Sequence, residues 1–485
     1  MSEIVSGKTA NSKTANNETA NNEMASELSI AQELQVLRSH FATGQTRSLS
    51  FRKAQLKRLS ANLSAAKSDI YAALKADLGK CELEAHLSEL ALVLGDIDQA
   101  LKHLSRWSKP QRVKVPLPFQ PASAQIVPEP LGLVLIISPW NYPLQLALGP
   151  LVSAIAAGNC AVIKPSEITP NTSALLAKLV ADTFDNSYVR VMEGGVETAQ
   201  SLLAEPFDHI FFTGSPAVGK VVMRAAAEHL TPVTLELGGK SPCIVAPDAD
   251  IAVAARRIVW GKCFNAGQTC VAPDYLLVHK SIKAELLDAI ARTAVAFFGE
   301  DMASSPDYGR LVSDRHFQRL QALMNDALAV GKKIVGGQSD ADTRYMAFTV
   351  VDDVPPTALA MQEEIFGPLL PVLSYETIGE AIAFINQRPK PLALYLFSTD
   401  SAQQQAVAVQ TSSGGLCFNE TVSQYAVPDL PFGGVGQSGL GSAHGKTGFD
   451  TFSHHKSVLK KPNWLDLSLR YPPYAGKLAV LNKLL

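Results

Sequence analysis

Between Leu131 and Ser398 the sequence alternates short apolar runs with stretches of helical periodicity, and this rhythm narrows the fold more than any other feature. The runs are LGLVLIIS, NCAVIK, YVRVM, HIFF and VTLEL, followed by PCIVA, YLLVHK, KKIVGG and LALYLFS. A strand covered by helices on both faces reads as an unbroken apolar run, because neither face meets water. The pattern therefore predicts an α/β fold with parallel sheets packed between helices. The paired glycines in LELGGKSP (235–242) permit a sharp reversal, and a boundary between two sets of strands is expected there.

The opening KTANSKTANNETANNEMA repeats Thr-Ala-Asn from positions 9, 14 and 19 and holds almost nothing that could build a core, so residues 1–26 are expected to be a disordered low-complexity tail. Residues 27–108 place apolar side chains three and four apart and read as a helical segment. The proline-rich stretch 109–130 suits edge strands, or an arm that contacts another subunit, better than a central sheet.

The N-terminus lacks an apolar run of the signal-peptide kind, and a cytoplasmic location is expected. LQLALGPLVSAIAAGNCAVIK, from Leu144, approaches the roughly 20 residues that a membrane span needs. Gly149-Pro150, Gly158-Asn159 and Lys164 interrupt it, so a buried helix followed by a buried strand is the better reading. The last stretch, YAGKLAVLNKLL, is too short to span. A net charge of -2 and a pI near 6.6 leave no nucleic-acid footprint.

Two phosphate-binding patterns fail in part. GVGQSG (434–439) matches GxGxxG but follows DLPFG rather than a buried strand, and no acidic residue stands about 20 positions further on. GSPAVGK (214–220) resembles a Walker loop, yet Val221 occupies the place of the magnesium-binding hydroxyl. What survives is a strand turning through Gly214 and Ser215 into a helix, either an anion site or an ordinary capped turn. VIKPSE (162–167) sets Lys164 and Glu167 just past a buried strand, where a ribose contact and a solvated loop are both open. ISPWNYP (137–143) offers the Asn141 carboxamide, a donor that does not titrate and suits an oxyanion.

The six cysteines are scattered, which argues against a disulfide framework, and the seven-residue step from Cys263 to Cys270 has no histidine beside it, so no metal is expected. Cys160, Cys243 and Cys417 lie in apolar runs and read as small buried hydrophobes. Cys270 differs, because FNAGQTC (264–270) looks like a shaped loop that gives a thiol access to substrate. Glu236 is the candidate base if the turn after it brings both to one cleft. Tyr142, Thr269 and Trp260 adjoin this chemistry and would either line an apolar funnel or pack between the two sets of strands.

SPWNYP, KPSE, FTGSPAVGK, LELGGKSP, FNAGQTC, EEIFGP and LPFGGVGQSG together resemble the aldehyde dehydrogenase superfamily from about residue 28 to about 474, in that family's order. HGKTGFDTFSHHK and RYPPY resemble its class 3 branch. The resemblance implies a Rossmann-like cofactor domain from 27–108 and 131–238, a second α/β catalytic domain over 239–435, and an oligomerisation arm with a C-terminal segment from 109–130 and 436–485. It also implies NAD or NADP, an aldehyde substrate and a homodimer.

Carried over residue by residue, Cys270 is the nucleophile, Glu236 the general base and Asn141 the oxyanion donor. Lys164 and Glu167 contact the adenosine ribose, Gly214, Ser215 and Gly219 form the pyrophosphate turn, and Glu364 with Phe366 clamps the nicotinamide ribose. Apolar medium-chain or aromatic aldehydes are the implied substrates, with NET at 419–421 pointing towards coniferyl aldehyde. Glu236 speaks against a CoA-acylating relative, and a non-redox cysteine hydrolase using one of the ten histidines is the rival from another class.

Overall fold

The computed structural model describes residues 29–482, so the expectation for 1–26 lies outside the described residues. The described residues open on the helix Ile30–Ala42, whose first turn is closed by Ser29 and Gln32 in a reciprocal capping box. Helices Leu49–Ala65 and Lys67–Leu78 follow, and Leu56, Leu59, Leu63, Ile70 and Leu74 put their apolar faces into the core. Lys67–Leu78 stops at Gly79, whose φ of 69° is the left-handed conformation that glycine adopts without strain. From Glu82 to Trp107 the chain is helical throughout, widened into a π turn at His86–Leu90.

The first sheet has six strands in the order Gly439–Leu440, Val233–Leu237, His209–Gly214, Leu133–Ile137, Cys160–Lys164 and Val189–Val191. All pair in parallel except Gly439–Leu440, which runs antiparallel to Val233–Leu237 and sets Gly439 opposite Glu236. The stretch that looked membrane-like is the helix Gln145–Ala157 followed by the buried strand Cys160–Lys164. No helix among the described residues is long and apolar enough to cross a membrane.

Across Gly238–Ser241 the chain enters the second sheet. Its seven strands run in the order Lys332–Val335, Thr349–Asp352, Leu369–Tyr375, Tyr275–His279, Pro242–Val245, Ala393–Phe397 and Gly415–Phe418, parallel but for the first. Side chains leave its strands alternately, so Cys243 and Val245 join one core layer while Ile244 and Ala246 join the other. Cys417 departs from its expected burial. It lies on the edge strand Gly415–Phe418, is half-buried, and donates its Sγ–H to Gln424 Oε1 at 3.1 Å.

Gln111–Val113, Ser123–Pro130 and Ser453–Lys460 form a separate three-stranded antiparallel sheet. Of the described residues in 436–482, only Ser453–Lys460 joins it, since Gly439–Leu440 extends the first sheet and the helix Gly445–Thr451 packs on Gln145–Ala157.

Candidate active site

A cavity of about 1140 Å³ opens where Leu133–Ile137, His209–Gly214 and Val233–Leu237 end. Asn141, Gly214, Ser215 and Glu236 line it from those strand ends, and Cys270, Glu364 and Phe366 line it from the chain beyond the Gly238–Ser241 crossing. Open α/β sheets bind ligands at this end of their strands, because the loops there are free to carry chemistry.

The loop before Cys270 has the tightest local requirements. The helix Ile251–Cys263 ends at Phe264, and Asn265, Ala266 and Gly267 then take φ of 52°, 50° and 75° in succession. Asparagine and glycine accept this left-handed backbone readily, whereas Ala266 holds it at a cost that the surroundings must offset. The side-chain amides provide the hold. Asn265 Nδ2 donates to the carbonyls of Asn141 at 2.9 Å and Gln268 at 3.1 Å, while Gln268 Nε2 donates to Asn265 O and Arg310 O at 3.0 Å each. Gln268 Oε1 also accepts the Val312 amide at 3.0 Å. FNAGQTC is therefore a coil fixed by its own asparagine and glutamine, with the thiol at its end.

Cys270 is half-buried and faces the cavity. Burial pushes its thiol pKa up, and the nearby Glu364 and Glu236 carboxyls push it further, against its own amide and that of Val271. Among the described residues no histidine is hydrogen-bonded to it. The cavity's two histidines are occupied elsewhere, His316 packing on Trp140 at 4.6 Å between ring centroids and His444 stacking on Phe432 at 5.3 Å.

Glu236 is the fourth residue of its strand and is buried, and neither carboxyl oxygen has a hydrogen-bond partner. Burial alone raises its pKa well above the usual carboxylate range. With neither oxygen engaged, the carboxyl can hydrogen-bond a molecule in the cavity it lines. Asn141 is buried, and its Nδ2 donates to Gln268 O at 3.1 Å, leaving a second N–H for another acceptor. Tyr142 and Thr269 are buried and joined hydroxyl to hydroxyl at 2.5 Å, whereas Trp260 stands at the rim, 37% exposed.

The other candidates divide. Ser215 caps the helix Pro216–Ala227 by accepting the Val218 amide at 3.4 Å, and the start of that helix lines the cavity. Glu364 is raised to about 8, by burial first and then by the Asp274 charge, against the Gly239 amide. Phe366 has a φ of 54° and meets Trp140 edge-on at 5.3 Å. Three residues lie away from the cavity lining. Gly219 sits under Leu237, where a Cβ would meet Cδ2 at 2.8 Å, so its smallness serves helix-on-sheet packing. Lys164 ends its strand and pairs with Glu167 just beyond it at 2.7 Å; burial raises the Glu167 pKa, but the Lys164 ammonium outweighs it and the net shift is down.

Sequence reasoning missed the floor of the site. Lys80, Glu84 and Glu89 are buried beneath it, with Lys80 Nζ bridging Glu89 Oε1 at 2.7 Å and Asn141 O at 3.0 Å. Glu89 Oε2 takes the amides of Leu144 and Gln145 at 3.0 and 2.9 Å, and Glu84 Oε1 takes the Asn265 amide at 2.8 Å. Burial raises Glu84 to about 7 despite Lys80. Charges in a helical segment ordinarily mark its solvated face, so no local signal set these apart.

Fold and cavity together define an α/β protein built on two mainly parallel sheets, with a cysteine facing its strand-end cavity, and the sequence comparison gives its family. The Aldehyde dehydrogenase family profile matches residues 8–458, and the chain belongs to that family. It is 51% identical over 448 residues to the 4,4'-diaponeurosporen-aldehyde dehydrogenase of Staphylococcus aureus, covering 92% of this chain and 97% of that one. It is 50% identical over 450 residues to human aldehyde dehydrogenase family 3 member B1, covering 92% and 95%. Among solved structures, a substrate-bound Staphylococcus aureus AldH superposes with a TM-score of 0.92 at 49% identity, over 94% of this chain and all of the other. Betaine aldehyde dehydrogenase from Staphylococcus aureus in complex with NAD+ gives a TM-score of 0.82 at 27% identity, over 91% and 89%. The family and the fold that the motifs implied are thus both found.

Proposed function

We propose that the protein oxidises an apolar medium-chain or aromatic aldehyde to the carboxylic acid, with NAD or NADP as electron acceptor. The observation that carries this reading is the convergence of Cys270, the unpartnered Glu236 carboxyl and the Asn141 carboxamide on one cavity.

The chain's residues fit a dinucleotide. Gly214, Ser215 and Pro216 open the start of a twelve-residue helix to the cavity, and the positive end of the helix dipole there favours an anion. The bare backbone at Gly238 lets the Glu364 carboxyl lie against it, and Glu364 and Phe366 both border the cavity. Lys164 and Glu167 are assigned to the adenosine ribose and Gly219 to the packing of the turn. A bound nicotinamide supplies the hydride acceptor.

In this reading the Cys270 thiolate adds to the aldehyde carbonyl, and the Asn141 carboxamide with the Cys270 amide donates to the oxyanion. Loss of hydride from that adduct leaves the acyl group on Cys270 as a thioester. Glu236 then takes a proton from the attacking water, the thiolate leaves, and the acid is released. A histidine-assisted cysteine hydrolase is disfavoured, because among the described residues no histidine is hydrogen-bonded to Cys270.

We assign the working form as a cytoplasmic homodimer. Six free cysteines suit a reducing compartment, and exposed Val113, Leu117, Phe119 and Leu459 on and beside the three-stranded arm supply apolar surface for a second copy. The test is the rate of reduced-nicotinamide formation by the purified protein with NAD and with NADP. Hexanal, decanal, benzaldehyde, coniferyl aldehyde and 4,4'-diaponeurosporen-aldehyde form the panel. Turnover of none of them, with ester hydrolysis present, would favour the hydrolase.

A further inference from the structure

We propose that Lys80 is a positioning residue for the Asn141 carboxamide, setting the oxyanion donor relative to Cys270 from beneath the cavity. The proposal rests on the reading of Asn141 as that donor.

Lys80 is fully buried and lies outside the cavity lining, so it acts through other residues. Its ammonium donates to Glu89 Oε1 at 2.7 Å and to the main-chain carbonyl of Asn141 at 3.0 Å, and it lies 4.1 Å from the centre of the Tyr142 ring. The Asn141 carbonyl takes its second hydrogen bond from Asn265 Nδ2, in the loop that carries Cys270. That carbonyl is therefore gripped from the helical segment on one side and from the nucleophile loop on the other. Glu89 fixes the next stretch by accepting the Leu144 and Gln145 amides, and Glu84 fixes the nucleophile loop through the Asn265 amide.

The helix is built to deliver both carboxylates. In a regular α-helix, residues five apart are rotated by roughly 140°. The π turn at His86–Leu90 widens the helix between Glu84 and Glu89, and both reach the same network. A buried ion pair is a poor route to stability, since apolar residues fill such volume without the desolvation cost. Every hydrogen bond of this one ends on another member of the network or on the segments that carry Asn141 and Cys270, which is the distribution a positioning device requires.

The test is single-turnover hydride transfer at saturating cofactor, followed by reduced-nicotinamide absorbance, in the full-length enzyme. Lys80→Met is expected to slow hydride transfer tenfold or more with the cofactor Kd within twofold. Placed in an Asn141→Ala background, the same change is expected to slow it less than twofold. Lys80→Met/Glu89→Gln removes the carboxylate that Lys80 pairs with, so it is expected to recover most of the thermal midpoint while the rate stays low. Equal slowing in both backgrounds, or a rate that returns with the midpoint, overturns the proposal. Asn141→Ala at the wild-type rate is a separate outcome, which overturns the oxyanion reading and the proposal with it.

Discussion

A Cβ atom on Gly238 would lie 2.1 Å from Glu364 Oε2, so the bare backbone at 238 is what lets the Glu364 carboxyl rest against the crossing between the two sheets. The obstacle is the far end of a flexible side chain, and the fold can yield by rotating Glu364. Gly238→Ala is therefore expected to leave the thermal midpoint within about 2 °C, a shift of under ~1 kcal/mol, while moving Glu364 out of place. If Glu364 holds the cofactor, the Kd for NAD should rise tenfold or more. Fluorescence titration with a parallel melt checks this, and an unchanged Kd would remove Glu364 from the cofactor site.

Gly267 poses the opposite case. Its φ is 75°, and a Cβ there would meet the main-chain oxygen of Gly367 at 2.3 Å, with no side chain to give way. Gly299 has a similar φ of 81° but open space around it. Gly299→Ala should thus cost only the backbone term, on the order of 1–3 kcal/mol. Gly267→Ala should cost more and disable the enzyme by shifting Cys270. Urea melts and assays of the two variants separate strain from collision, and equal stability of the pair would refute the contact.

The contrast marks how far the sequence could be read. Strands such as Leu133–Ile137 and Ala393–Phe397 are legible because burial on both faces writes itself into every position. Cys270, Glu236 and Asn141 are legible because their motifs sit at strand ends and at a polar loop. The Lys80–Glu89 pair is not, since a charge on a helix or in the short link between two helices looks the same whether it meets water or the underside of a site more than 50 residues further along the chain. The left-handed run at 265–267 is only half legible, because Asn and Gly permit it whereas Ala266 gives no sign of it.

Glu236 makes stability depend on pH in a known direction. Its carboxyl is raised in the fold by burial and has no partner, whereas in the unfolded chain it ionises near pH 4.3. The stabilisation from a protonated Glu236 is therefore full below the unfolded value and is lost as pH rises towards the folded one, at most ~1.4 kcal/mol per pH unit. Glu236→Gln removes this loss. The variant's midpoint should exceed the wild type's by more at pH 8.5 than at pH 5.5, while turnover stops after one burst of reduced cofactor. Melting curves across that range check the first part, and a constant difference would mean the carboxyl is solvated.

Cys270→Ser should abolish oxidation, because a neutral hydroxyl is a far weaker nucleophile than a thiolate. Cys417→Ser should retain most of it, as the half-buried Cys417 only hydrogen-bonds Gln424 on an edge strand. Assays alongside melts tell chemistry from stability. Comparable losses in both variants would count against Cys270 as the nucleophile.

Trp260 tests the apolar funnel. It stands at the rim of the cavity, its ring 5.2 Å from that of Phe264, which in turn faces Tyr142 at 6.4 Å. These three rings form an apolar path leading in towards Thr269 and Cys270. Each methylene buried along it is worth about 0.8 kcal/mol, or roughly fourfold in kcat/KM. From acetaldehyde upward, kcat/KM should climb with chain length until the alkyl chain passes the rim. Trp260→Ala shortens the path, so its loss relative to wild type should grow along the series and be largest for decanal. Steady-state kinetics on the homologous aldehydes, with succinic semialdehyde as the charged comparison, decides the matter. A loss that is uniform across chain lengths, or a preference for succinic semialdehyde over every neutral substrate, would mean the rings pack the interface and do not select the substrate.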